Sequence, residues 1–201
     1  MSNSERIFNI TAGLSVLLWS ALGMLTDANF MGITPVRLCI SLLNLLVGLL
    51  FLTRSPLLKP GAPSSLIISL PSLLIAGLAF KLAPPTDLWP IYAELVFVTG
   101  ALFTFISFIY LGRNFAVLPA VRGIVTQGPY LIIRHPAYAG EMLMIIGCFI
   151  AHPTLISVWP CLAAFPAVIL RINAEEKILK EETVYQSYAR HAPYRLLPGI
   201  W

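Results

Sequence analysis

Two short polar motifs interrupt an otherwise apolar chain, and the first is RHPAYAG at residues 134–140. Proline is favoured at the first position of a helix and pushes the preceding residue out of helical geometry, so Pro136 predicts a helix start capped by His135. The free N–H groups of that start, with Arg134 and His135, provide donors that suit a carboxylate or another anion. Tyr138, on the first turn, offers an aromatic face to a base or a cation. A cytoplasmic anchor and an incidental cap also explain this heptapeptide, which taken alone favours that structural interpretation.

The second motif is RINAEEKIL at residues 171–179. Asn173 and Glu176 have the spacing of a helix capping box, which gives Glu176 a structural role. Glu175 has no such role, and Arg171 precedes it by roughly one turn of a continuous helix. An arginine at a membrane boundary can extend its charge to the interface, or it can bind a carboxylate through two hydrogen bonds. The motif alone leaves both interpretations open.

Composition indicates what kind of protein must hold these motifs. Of the 201 residues, 58% are hydrophobic and 11% are charged, and the mean hydropathy is +0.83. Such a chain is typical of an integral membrane protein. The 13 Lys and Arg residues are scattered between apolar runs, so we expect no nucleic-acid partner. The three cysteines have no metal-ligand or disulfide spacing, and no metal site is expected.

The apolar runs predict an all-α, polytopic bundle of about five to six transmembrane helices. Four runs approach the length of about 20 residues that a helix needs to cross the hydrocarbon core. Two shorter runs follow, separated by His152 and Pro153, and predict a helical hairpin because proline cannot easily continue the first helix. We interpret the first run as a retained helix, since no clear signal-peptide cleavage site follows it. The runs cover residues 7–25, 35–53, 64–82, 88–111, 137–151 and 154–172.

Positive charges predict how this bundle is oriented. If the N-terminus is cytoplasmic, six crossings place every Lys and Arg on the cytoplasmic side except Arg37 and Lys81. We therefore expect a multi-pass protein with both termini in the cytoplasm, in the plasma (inner) membrane if the source is prokaryotic. The polar segments 112–135 and 173–201 fall on that side, where we expect the functional site.

The C-terminal segment predicts an amphipathic helix. Ile178, Tyr185, Tyr188 and Ala192 recur at helical spacing on one face, whereas the charged residues lie largely elsewhere. Such a helix is expected to pack over the cytoplasmic ends of the spans as a lid.

The motifs together resemble the isoprenylcysteine carboxyl methyltransferase family of integral membrane enzymes. A GPY, an RHPxYxG and an RxxxEExxL occur in this order around the hairpin, followed by the closing YQSYARHAPYRLLPGIW, so that the resemblance covers about residues 111–201. The apolar runs before it make residues 1–111 the N-terminal transmembrane helices. Residues 112–201 would form the methyltransferase catalytic region, with a cytoplasmic cofactor pocket built from a loop, the hairpin and the lid helix.

The resemblance implies transfer of a methyl group from S-adenosyl-L-methionine to a lipophilic acceptor, in the founding members the C-terminal carboxylate of a prenylated cysteine. Arg171 would face the acceptor. Eukaryotic relatives tend to have histidine at the position of Arg122, and many members have a basic residue at that of Leu131, so this chain departs from the family there. The residues that the resemblance assigns to the cofactor are Arg122, Gly123, Ile124, Val125, Tyr130, His135, Pro136, Ala137, Tyr138 and Glu175.

The acceptor decides whether a base is needed. A carboxylate is already ionised near neutral pH, whereas an amine must first lose a proton. No histidine or acid is obviously left over once His135 and Glu175 hold the cofactor, which favours a carboxylate bound by Arg171, although Glu176 and Tyr188 stay open as bases. The expected partner is a lipophilic small molecule or a prenylated acceptor that arrives from the bilayer among the membrane lipids.

Three other functions fit the same residues. A phospholipid or other amine N-methyltransferase shares an RHPxYxG and a downstream pair of glutamates. A sterol-type reductase has a related C-terminal region but uses NADPH. A non-catalytic membrane protein that binds a lipid or a partner is the third, and would bind neither cofactor.

Overall fold

The computed structural model describes residues 1–30 and 32–201, with the side chains of residues 26–30, 63 and 66 outside the description. Within these residues the chain is mostly helical, and two very short strands pair antiparallel, Lys59 with Val121 and Pro60 with Ala120. This confirms the predicted all-α class. The elements are α1 Asn3–Phe30, α2 Pro35–Thr53, β1 Lys59–Pro60, α3 Pro63–Leu82, α4 Ile91–Leu111, β2 Ala120–Val121, α5 Pro136–Ala151, α6 Leu155–Leu179 and α7 Thr183–His191.

Four of these helices are long and apolar enough to cross a membrane by length and composition: Asn3–Leu25, Pro35–Thr53, Ile91–Asn114 and Leu155–Leu179. The apolar parts of α3 and α5 are shorter, at Ile67–Leu82 and Pro136–Ala151. In the bundle, α1 packs on α2, α3 on α6, and α4 on α5. The chain is therefore a polytopic helical membrane protein, as predicted.

The predicted hairpin is present as α5 and α6. The first helix ends at Ala151, and the second begins at Leu155 after Pro153. Thr154 caps α6, because its side chain accepts from the backbone N–H of Ser157 at 3.1 Å while the Ser157 side chain accepts from the N–H of Thr154 at 2.9 Å. This capping box fixes the sharp reversal of the chain.

The predicted capping box at Asn173 and Glu176 is wrong. Helix α6 does not restart there but continues without a break to Leu179, so that Asn173 lies inside the helix. The residues after Asn173 are good helix formers and carry the helix past the polar position. The consequence is that Arg171 and Glu175 lie one turn apart on the same helix.

Close packing of α4 against α5 depends on glycine. A Cβ at Gly100 would lie 2.6 Å from the carbonyl oxygen of Gly140 and 2.8 Å from Cβ of Leu143. A Cβ at Gly147 would lie 2.9 Å from the Phe97 backbone nitrogen. Small residues let the two backbones approach, which is how membrane helices gain packing energy without a hydrophobic driving force. The start of α5 is thereby fixed against α4.

The segments 54–62, 112–135 and 180–201 meet at one end of the bundle, which we call the polar end. The β1–β2 pair joins the first two of these segments. The third is joined by backbone hydrogen bonds, in which Arg134 N–H donates to the Tyr194 carbonyl at 3.0 Å and His135 N–H to the Arg195 carbonyl at 2.9 Å. The C-terminal segment thus holds the chain immediately before α5.

Candidate cofactor cavity at the polar end

The polar end contains a cavity formed by the loop between α4 and α5. Two glycines let this loop fold back on the helices, since Gly112 has φ +50° and Gly128 has φ +60°, where other residues are strained. A 3-10 turn over Gly128–Leu131 then leads towards α5. The start of α5 at Pro136, with His135 at its cap position, confirms that prediction.

The cavity encloses about 520 Å³ of empty space, counted with its opening to solvent. The polar residues that line it are Asn114, Arg134, His135 and Glu175, and the aromatic ones are Tyr130, Tyr185 and Tyr188. The remaining lining residues are small or aliphatic: Leu111, Ala116, Ala120, Gly123, Ile124, Val125 and Leu179.

The residues assigned by resemblance divide into two groups. Six of them line the cavity: Gly123, Ile124, Val125, Tyr130, His135 and Glu175. The other four, Arg122, Pro136, Ala137 and Tyr138, are absent from its lining. The resemblance did not assign Asn114, Arg134, Tyr185 or Tyr188 to this cavity. Arg134 was expected from RHPAYAG alone as an anion donor, and the apolar face predicted for α7 was a signal for the two tyrosines.

Tyr138, on the first turn of α5, contacts two residues of the cavity wall. Its hydroxyl donates to Glu175 Oε2 at 2.8 Å, and its ring stacks on His135 with 5.7 Å between ring centroids and 14° between planes. His135 Nδ1 lies 3.9 Å from the same Glu175 oxygen, and Nε2 lies 3.4 Å from Glu176 Oε1. The carboxylate of Glu175 and the imidazole of His135 are therefore held in fixed positions on one wall.

Glu176 is a buried centre of charge rather than a helix cap. Its side chain is 1% exposed, and its Oε1 accepts from Arg134 Nε at 2.8 Å and from the Tyr185 hydroxyl at 3.1 Å. Its Oε2 lies 3.0 Å from Arg195 and 3.2 Å from Lys180. Three cations and the Tyr185 hydroxyl engage both oxygens of this carboxylate, which argues against Glu176 as the base left open by the sequence.

The three tyrosines form the aromatic part of the cavity. The Tyr188 hydroxyl donates to the Tyr130 carbonyl at 2.6 Å, and the rings of Tyr185 and Tyr188 meet edge to face with centroids 5.8 Å apart. Burial raises the pKa of Tyr188 to about 12 and also raises the pKa values of Tyr130 and Tyr185. All three stay neutral near pH 7, which removes Tyr188 as a candidate base. Helix α7, as predicted, carries its tyrosines inward.

Arg171 lies outside the cavity lining and next to Tyr138. The side chain is 5% exposed; Nη1 donates to Ser72 Oγ at 2.9 Å and Nη2 to the Val117 carbonyl at 2.7 Å. Its Cζ lies 4.8 Å from the Tyr138 ring centroid. Its Nε is buried and has no hydrogen-bond partner among the residues that the structure describes. Tyr138 thus contacts both Glu175 at the cavity and Arg171 beyond it.

Glu141 is an acid next to Arg171 that sequence reasoning did not consider. Its carboxylate lies 4.0 Å from Arg171 Nη1 and is 16% exposed. The expectation that no acid is obviously left over as a base once His135 and Glu175 hold the cofactor did not consider this carboxylate. The signal was available, because an acidic residue directly after RHPxYxG inside an apolar run is a functional candidate by default.

Arg122 points away from the cavity. Its guanidinium is 5% exposed, lies 2.8 Å from Glu5 Oε1 and also donates to the Ser55 carbonyl. The neighbouring Gly123 packs against the Asn114 side chain, where a Cβ would lie 2.8 Å from Asn114 Cγ. The expected contact between Arg122 and the cofactor is not supported by this placement.

Fold and cavity together define a helical membrane protein with a cavity at its polar end. Residues 89–187, just under half of the chain, match the model of the phospholipid methyltransferase family. This is a family of integral membrane methyltransferases related to the isoprenylcysteine enzymes, and the match supports a membrane-bound methyltransferase. None of the curated proteins matches the chain.

Proposed function

We propose that this protein transfers a methyl group from S-adenosyl-L-methionine to a lipophilic acceptor. The observation that carries the proposal is the cavity wall of His135 and Glu175, connected through Tyr138 to the buried cation of Arg171. This arrangement provides two neighbouring sites. The polar one, at His135 and Glu175, is open to solvent, and the second, around Arg171, lies within the apolar bundle. The family match over residues 89–187 supports the same reaction class.

The lining residues fit this cofactor by their chemistry. Arg134 and the backbone start of α5 suit the methionine carboxylate, and Glu175 suits the amino group or a ribose hydroxyl. The neutral tyrosine rings suit the adenine base and a positively charged sulfonium. When bound, the cofactor supplies an activated methyl group that is transferred by in-line displacement. The residues of this chain contribute alignment and the exclusion of water.

For the acceptor we propose a carboxylate of the isoprenylcysteine type, bound by Arg171. The unpartnered buried Nε of that guanidinium is a donor available to such a group. Ser72 on α3 and Arg171 on α6 are in contact within the bundle, and we expect the acceptor to arrive from the bilayer between these two helices. A carboxylate needs no base, because it is already ionised near neutral pH.

A second candidate acceptor is a lipid amine, and Glu141 is the observation that favours it. Its carboxylate, 4.0 Å from Arg171, is placed on the acceptor side and could take the proton that an amine loses on methylation. The description of the matching family points in the same direction.

Labelled S-adenosylmethionine and membranes that contain the protein test both acceptors. A base-labile methyl ester supports the carboxylate, and a stable label on nitrogen supports the amine. In the amine case Glu141→Gln should slow transfer and shift its pH profile upward, whereas an ester-forming enzyme should tolerate the change. No labelled lipophilic product, together with binding of NADPH instead of S-adenosylhomocysteine, would overturn the proposal.

We further propose that the polar end and both termini face the cytoplasm, where the cofactor is available. The distribution of Lys and Arg supports this orientation, since only Arg37 and Lys81 fall at the opposite end. Single cysteines placed at residues 55 and 87, in a background without the native cysteines, should react with an impermeant reagent from the cytoplasmic and the outer side respectively. The reverse pattern would contradict the proposed orientation.

A further inference from the structure

A buried ion pair links the start of the chain to the cavity wall. Glu5, in the first turn of α1, lies 2.8 Å from Arg122 Nη1, and the two side chains are 14% and 5% exposed. The residues are separated by 117 positions in the sequence. Helix α1 is therefore connected directly to the loop that forms the cavity.

The Glu5 carboxylate also holds the segment that follows α2. Its Oε1 accepts from the backbone N–H of Leu57 at 3.1 Å as well as from Arg122. The Arg122 guanidinium in turn donates to the Ser55 carbonyl, and Ser55 N–H donates to the Arg113 carbonyl at 2.6 Å. One carboxylate and one guanidinium thus join three separate parts of the polar end.

Arg122 stands directly before the backbone that lines the cavity, Gly123, Ile124 and Val125. The other side of Arg122 is fixed by the strand pair, in which Leu58 N–H donates to the Val121 carbonyl at 2.9 Å. A shift of the guanidinium would therefore be transmitted to the lining residues within one peptide unit.

The charge of Glu5 also offsets a second buried arginine, Arg54. Arg54 is 8% exposed and donates to the Asn9 side-chain carbonyl at 2.8 Å, with its guanidinium 4.6 Å from the Phe51 ring centroid. Burial, followed by repulsion from Arg122, lowers the pKa of Arg54 to about 10. Without Glu5, Arg122 would have no carboxylate in contact among the residues that the structure describes, and repulsion between the two buried cations would favour a shift of the loop.

We propose that the Glu5–Arg122 ion pair is a positioning device for the cofactor cavity, because it ties α1 and residues 55–57 to the backbone immediately before the lining residues 123–125. The proposal rests on the proposed function in so far as the cavity binds the cofactor. Arg122 then acts through the backbone that follows it, and not by contact with the ligand.

The test compares Glu5→Gln, Arg122→Gln and the charge-reversed pair Glu5→Arg with Arg122→Glu. Each single variant should weaken binding of S-adenosylhomocysteine, measured by calorimetry in detergent, by about tenfold or more, because small misplacements of a binding wall are costly. Each should also speed amide hydrogen exchange over residues 120–125 in the protein without ligand. The reversed pair restores the charge contact but neither the bond from Leu57 N–H nor the bond to the Ser55 carbonyl, so it should recover only part of both losses. Lys59→Gln is the matched control, because Lys59 lies on the same strand pair but its ion pair with Glu181 is exposed. This variant should change neither S-adenosylhomocysteine binding nor hydrogen exchange.

Several outcomes would overturn the positioning role. Loss of binding in Arg122→Gln with normal binding and normal exchange in Glu5→Gln would make Arg122 a direct ligand. Normal amide hydrogen exchange over residues 120–125 in both single variants would contradict any positioning role of the ion pair. If a glutamine variant fails to fold, Arg122→Lys, which keeps the charge, should restore folding and binding, and a folded Arg122→Lys that does not bind contradicts the proposal. A wild-type protein that does not bind S-adenosylhomocysteine would overturn the proposed function, while hydrogen exchange would still decide the role of the ion pair.

Discussion

Replacement by glutamine should impair a different property at each of two adjacent glutamates, cofactor binding at one and stability at the other. Glu175 lines the cavity and is 28% exposed, whereas Glu176 is 1% exposed and lies among cations. Replacement by glutamine removes the charge from each side chain and keeps its shape. We expect Glu175→Gln to lose cofactor binding with the fold retained, and Glu176→Gln to lose stability.

The magnitude follows from what each carboxylate contacts. Arg134 is only 8% exposed, so the Glu176 change leaves a buried cation without its partner, a loss of about 3 to 5 kcal/mol. Lys180 and Arg195 are 52% and 23% exposed and add little. We therefore expect a loss of about 3 kcal/mol, which for a chain of this size lowers Tm by roughly 6–12 °C. Glu175→Gln weakens one hydrogen bond from Tyr138, worth about 1 kcal/mol.

Thermal unfolding in detergent and calorimetry with S-adenosylhomocysteine measure the two effects separately. The prediction is a low Tm for Glu176→Gln, and a near-normal Tm without measurable binding for Glu175→Gln. Equal Tm values in the two variants would refute the assignment of Glu176 as a buried centre of charge. Normal binding by Glu175→Gln would refute the assignment of Glu175 to the cofactor.

Three further predictions concern the acceptor side, the aromatic wall and the packing of the hairpin. Arg171→Lys should keep S-adenosylhomocysteine binding within a few-fold but lower transfer by about 100-fold, because Lys cannot reproduce the planar guanidinium; a parallel loss of binding in calorimetry would contradict this. Because the pKa of Tyr188 rises from about 10 in the unfolded chain to about 12 in the fold, stability should fall as pH rises between these values. Denaturant unfolding of Tyr188→Phe should show a smaller fall, and an equal fall would contradict the burial of that hydroxyl. Gly140→Leu should abolish folding, since even a Cβ there would lie 2.8 Å from the Thr104 backbone nitrogen; a folded variant by size-exclusion chromatography would refute the close packing.

Local rules were enough to predict the helices and the hairpin. Proline at 136 and 153 sets helix boundaries through backbone geometry alone, and apolar length sets the spans. The same local rules failed at Asn173 and Glu176, because a capping-box spacing inside a run of good helix formers looks the same as one at a helix start.

Long-range contacts explain the part of the site that could not be predicted. Glu5 and Arg122 are 117 positions apart, so no local pattern connects them, and Arg122 could be assigned only by resemblance. The pairing of Glu141 with Arg171 depends likewise on how α5 packs against α6. Tyr185 and Tyr188 were placed on an inward face by helical spacing, but which cavity that face meets depends on the turn between α6 and α7.

The most direct measurement of the central proposal is calorimetric binding of S-adenosylhomocysteine to the purified protein and to His135→Ala. The account predicts one binding site per chain in the wild type and no measurable binding in a folded His135→Ala variant, because His135 stacks on Tyr138 at the cavity wall. Absence of binding to the wild type, or undiminished binding to His135→Ala, would contradict it.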